Sequence, residues 1–98
     1  MITIPLTNGA ANAHQILFIQ LELNFVEFRV NWNTTQSQWY ADLYLEGVLQ
    51  AAGVMLLPGS ELLSDYEADI GRLVINGTEP TLDNLGISNE LVWISDNE

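Results

Sequence analysis

The chain has no cysteine, so neither a disulfide framework nor a thiolate metal site holds it together, and packing must supply its stability. Lysine is also absent. Arg29 and Arg72 stand alone against thirteen carboxylates, for a formal net charge of −11. That balance repels phosphate backbones and excludes sequence-specific nucleic-acid binding. His14 is the single histidine. Nucleophilic catalysis needs an activated Ser, Cys or Lys beside a base, most often His. No G-x-S-x-G motif occurs, so His14 reads as an exposed loop imidazole and an enzyme is not expected. Long apolar runs are missing too. The longest, Val48 to Leu57, is interrupted by Gln50 and Gly53 and falls far short of the roughly 20 residues that span a bilayer. Met1-Ile2-Thr3-Ile4-Pro5 lacks the basic start and apolar stretch of a signal peptide. A soluble protein with no membrane partner is expected, made in the cytoplasm of its cell.

What is present suits one small domain, residues 1–98, since 98 residues lie near the lower edge of the single-domain range. Apolar side chains make up 48% of the chain and three are Trp. This is more than so small a core needs, so part of the apolar surface is expected to meet neighbours.

Hydrophobic periodicity points to strands. Val26, Phe28, Val30 and Trp32 alternate with Glu27, Arg29 and Asn31, a period of two built from β-branched and aromatic residues. Ile16 to Leu23 also alternates, with Ile16 and Phe18 on one face and Leu17, Ile19, Leu21 and Leu23 on the other. Leu23-Asn24-Phe25 reads as a tight reversal between these strands, because Asn tolerates left-handed backbone angles. After the polar stretch Asn33 to Gln38, Trp39, Ala41, Leu43 and Leu45 alternate with Tyr40, Asp42, Tyr44 and Glu46. Glu46-Gly47 then marks a turn into Val48 to Leu57, where Gly53 signals a bulge or close approach.

Pro58 to Asp69 reads as an ordered loop anchored by Leu62, Leu63 and Tyr66. Leu73 to Ile75 is a short strand ended by Asn76-Gly77, Glu79 to Gly86 a second loop with room for one helical turn at Leu82 to Leu85, and Glu90 to Ser95 a last strand. The linkers are too short for crossover helices. The fold class is therefore all-β: a small antiparallel β-sandwich or partly open barrel of about seven strands.

Thirteen acids make chance carboxylate pairs inevitable, so a glycosidase reading finds little support. Asp65-Tyr66-Glu67-Ala68-Asp69 sets acids at alternate positions, a hint of a hard-cation loop, but the EF-hand pattern is not met and no metal or cofactor is expected. Asn33-Thr34-Thr35 and Asn76-Gly77-Thr78 fit the glycosylation pattern, which matters only for a secreted chain. Trp32 and Trp39 share a face with aliphatic residues and are expected in the core. Tyr40 and Tyr44 lie on the opposite, polar face and are candidates for an interface. The surplus apolar side chains of the first long strand, Phe18 and Leu21, are expected to be shared between core and contacts.

The string Phe28-Arg29-Val30-Asn31-Trp32-Asn33, followed after a polar turn by Trp39-Tyr40-Ala41-Asp42-Leu43, resembles the baseplate plug family of contractile-tailed phages, named from a minimal cyanophage tail. Leu56-Leu57-Pro58-Gly59-Ser60-Glu61-Leu62-Leu63, Gly71-Arg72-Leu73-Val74, Asp83-Asn84-Leu85-Gly86 and Leu91-Val92-Trp93-Ile94 continue the likeness in order, and Ile2-Thr3-Ile4-Pro5-Leu6 fits its opening. Asn24 departs from the glycine-containing turn expected there, and basic residues are unusually few. The resemblance implies a non-catalytic virion protein on the tail axis of the baseplate, near tube, hub and spike, that closes the distal end. Other baseplate and tail proteins (hub, spike, tube-end or initiator subunits) would be its partners, and a homo-oligomeric ring following three-fold or six-fold tail symmetry is expected. The competing reading is a small β-sandwich binding module for a carbohydrate or protein ligand.

Overall fold

The alternation of Val26 to Trp32 becomes the second strand of a continuous four-stranded meander. The computed structural model describes residues 1–22, 24–59, 61–64 and 70–95. Seven strands are present among them: β1 (Ile2–Ile4), β2 (His14–Leu21), β3 (Asn24–Asn33), β4 (Gln38–Leu45), β5 (Val48–Met55), β6 (Arg72–Gly77) and β7 (Asn89–Ile94). A single 3₁₀ turn, Ala10–Asn12, precedes β2. The strands form two antiparallel sheets, one in the order β2-β3-β4-β5 and the other β1-β7-β6. The architecture is an open β-sandwich with no closed barrel.

Both inner faces feed one core. From the larger sheet come Leu21, Val26, Phe28, Val30, Trp39, Ala41, Leu43, Ala51 and Val54, and from the smaller Ile4, Leu73, Ile75, Leu91 and Trp93, all at most 4% exposed. Full burial of a side chain such as Phe28 contributes about 1.5–3 kcal/mol. Trp32 and Trp39 face each other across β3 and β4 in an edge-on pair with ring centroids 5.4 Å apart. Trp39 is fully buried and Trp32 half-buried against the core, as their alternation predicts.

Local backbone chemistry sets the hairpins. Leu21 pairs with Asn24, so the first reversal lies earlier than Leu23-Asn24-Phe25: Asn24 already belongs to β3, and the left-handed angle falls on Glu22 at φ 57°. Strand pairing overrides the turn preference of Asn. The β3–β4 turn uses Ser37 at φ 53°, with the Asn33 Oδ1 accepting from the Gln36 amide at 3.1 Å. Gly53, at φ 65°, sits at a register shift of β5 against β4, the expected bulge. The Asp42 carboxylate holds it by accepting from the Gly53 amide at 2.8 Å.

Loops close the sandwich through tryptophan. The Trp39 indole N–H donates to the Thr81 carbonyl at 2.8 Å, and that of Trp93 to the Ile70 carbonyl. Leu63, Ile70 and Leu85 are the buried loop anchors. Tyr66, Ser60 and the acidic run Asp65 to Asp69 lie outside the described residues.

Candidate interaction surface

The meander's outer face carries the side chains that alternation turns away from the core. Strand register arranges them in rows: His14, Asn31, Tyr40 and Met55; then Ile16, Arg29 and Asp42; then Phe18, Glu27, Tyr44 and Leu49. Three of the four predicted interface residues, Phe18, Tyr40 and Tyr44, therefore share one face. Leu21 does not join them. It is fully buried in the core cluster, because it has the parity of Leu17 and Ile19 and reaches the sandwich interior.

The same face holds apolar residues that the sequence reading did not single out for contact. Phe25 stacks on Phe18, ring centroids 5.8 Å apart and planes 11° from parallel. Ile16 is 60% exposed and Phe18 59%, values far outside those of a packed strand. Leu49 and Met55 are exposed at the opposite margin. The signal for Phe25 was its parity with Glu27 and Arg29, hidden by assigning it to a turn. For Leu49 and Met55, the β5 bulge breaks the period of two that would have placed them.

The centre of the face is polar and internally matched. Arg29 donates through Nε to Glu27, and its guanidinium lies 4.5 Å from the centroid of the Tyr44 ring, a cation–π geometry. The hydrogen bond from Arg29 to Glu27 raises the guanidinium pKa above its usual value; desolvation opposes it, and the charges of Glu27, Tyr44 and Asp42 add to the rise. The ion pair is exposed and contributes little to stability, and its guanidinium lies against the Tyr44 ring. Tyr40 donates its hydroxyl to the Gln36 side chain. His14 opens β2 rather than sitting in a loop, and its Nδ1 lies 2.7 Å from the Asn31 Oδ1.

Chemistry of other kinds finds less to build on. Among the described residues no three of His, Asp and Glu converge as metal ligands, and no helix is long and apolar enough to cross a membrane. An open depression of about 400 Å³ is lined by Thr3, Asn76, Gly77, Gly86, Ile87, Ser88, Asn89 and Glu90. Glu90 is its single ionisable side chain, and it accepts from the Thr3 hydroxyl at 3.5 Å.

The residues that carry the sequence likeness now have places in the fold: Phe28 to Asn33 and Trp39 to Leu43 are the two arms of the β3–β4 hairpin, joined by the Trp32–Trp39 pair. None of the curated proteins matches the chain. Residues 1–96 match the family model described as cyanophage baseplate Pam3 plug gp18. With all but the last two residues covered, the chain belongs to the cyanophage baseplate plug family.

Proposed function

We propose that the protein is a non-catalytic structural subunit that closes the distal end of a contractile phage tail on its axis, beside tube, hub and spike. The family match over residues 1–96 carries this reading; a plug of that family is a structural part of the baseplate and associates with other tail proteins. An outer sheet face with exposed Ile16, Phe18, Phe25, Leu49 and Met55 supports it, since exposed apolar clusters of this kind serve protein contacts. Tyr40 and Tyr44, half-buried on the same face, supply amphipathic rings for such an interface. In the assembled tail, copies arranged as a three-fold or six-fold ring would meet through closed heterologous contacts.

The acidic composition fits a passage for DNA. Carboxylates repel phosphates, but screening over about 8 Å at physiological ionic strength restricts the effect to side chains that line the channel. Cryo-electron microscopy of the virion tests both points. Density for this chain is expected on the distal tail axis with carboxylates turned toward the lumen. Finding the chain in the capsid, or at the baseplate periphery, overturns the axial placement; a neutral inner surface overturns the role of charge.

A further inference from the structure

The open edges of the two sheets are unequal. Strand edges present unpaired backbone donors and acceptors, and natural proteins blunt them by shortness, bulges, charge or cover. The β5 edge carries two register irregularities and Gly53. The β1 edge has three residues and runs into Pro5. The β6 edge is partly covered, the Leu62 amide donating to the Leu73 carbonyl at 2.7 Å. By contrast, β2 runs eight residues in unbroken register with β3. Among the described residues, none of these protections is built into it.

Its hydrogen-bonding phase follows from two contacts at the ends of β3. The Trp32 amide donates to the Ala13 carbonyl at 2.8 Å, and the Glu46 amide to the Phe25 carbonyl at 3.1 Å. In antiparallel pairing the bonded positions alternate. Gln15, Leu17, Ile19 and Leu21 thus turn their backbone groups toward β3, while His14, Ile16, Phe18 and Gln20 turn theirs toward the open side. The two most exposed apolar side chains of the strand, Ile16 and Phe18, belong to the open set. Backbone valence and apolar surface are offered at the same place.

Charge selects the occupant. At a net −11, most approaches between two copies set carboxylates against each other. The sequence of β2, HQILFIQL, contains no carboxylate. It is also its own complement: antiparallel pairing centred on Leu17 sets Ile16 opposite Phe18 of the second copy and His14 opposite Gln20. Every backbone group of the open set then meets its counterpart. We infer that the free protein, before it enters the tail, dimerises through β2, joining two four-stranded sheets into one of eight strands around a two-fold axis. The contact about that axis is isologous, whereas neighbours in a ring about the tail meet heterologously, so this pairing protects the edge before assembly and gives way to tail contacts. An edge contact of this length lies at the small end of stable interfaces, below roughly 1,200 Å² in total. The dimer is therefore concentration-dependent.

Sedimentation velocity on the full chain across a concentration series tests this. A monomer–dimer equilibrium is expected, weakened at least ten-fold by F18K and by I16K, each checked for folding by circular dichroism, and unchanged by L49K on the β5 margin. The absence of cysteine permits a second readout of register. Residues 16 and 18 would be cross-strand neighbours with Cα atoms roughly 5.5 Å apart, within disulfide reach, whereas like positions sit on a diagonal of roughly 7–8 Å. An equimolar mixture of I16C and F18C chains should form a disulfide-linked dimer under oxidation faster than either variant alone. A monomer at every concentration overturns the inference, as does a dimer that survives both lysine substitutions. So does a higher oligomer lost on F18K, or cross-linking that is no faster in the mixture than in the single variants.

Discussion

At the scale of single residues, two positions bind the sandwich to its loops. Trp39 combines a fully buried ring with an indole N–H that satisfies the Thr81 carbonyl. Trp39→Phe removes both ring volume and the donor, leaving that carbonyl short of its partner in a partly buried setting. A loss of about 2–3 kcal/mol is expected, measured by urea unfolding. Gly77 acts differently. Its φ of 102° lies where side chains are strained, and a Cβ there would sit 2.4 Å from the Ser88 carbonyl oxygen, a contact with backbone. Gly77→Ala is expected to cost at least about 2 kcal/mol, seen as a lowered Tm; an unchanged melting curve would show that the Ser88 loop moves freely. Neither role is visible from the sequence beyond a buried aromatic and a glycine at a strand end, because both depend on a carbonyl brought in from residues distant along the chain or across a turn.

Among the elements, β3 and β4 were readable almost residue by residue, since each alternates cleanly and their hairpin is local. Three features of the remaining strands were not. β1 has three residues, too few for any period, and forms by pairing with β7 at the other end of the chain. β5 loses its alternation at Gly53, so its outward residues could not be assigned by counting. β2 begins at His14 rather than Ile16, extended by pairing with β3 where its own pattern is polar. The bulge in β5 depends on the carboxylate of Asp42. Asp42→Ala should destabilise the protein by about 1–2 kcal/mol and speed hydrogen exchange at the Gly53 amide while leaving the Phe28 amide protected. Equal protection at both sites would mean that the bulge is held by the backbone alone.

At the scale of the whole molecule, charge and shape oppose each other. Eleven net negative charges on 98 residues repel one another across a body with a radius of gyration of 12.5 Å. Added salt screens this repulsion. Raising sodium chloride from low to physiological concentration should therefore raise Tm, and a fall would show that the Arg29–Glu27 pair and its kind outweigh the net repulsion. Acidification toward the isoelectric point near 4.1 should reduce solubility, measured by light scattering, because losing the net charge removes the repulsion that limits association beyond a β2-paired dimer. As a member of the baseplate plug family, the protein associates with other baseplate or tail proteins.

The amino-acid sequence by itself determined the all-β class, the inward course of Trp32 and Trp39, the polar placement of Tyr40 and Tyr44, and the family likeness. Each of these follows from local alternation or from short strings of residues. Tertiary structure decided which strands share a sheet, that Leu21 joins the core while Phe18 stacks on Phe25 in solvent, and which edge is left open. Those outcomes depend on pairing between segments remote in sequence, where backbone hydrogen bonding and the closing of two apolar faces select one register from many that the local pattern allows.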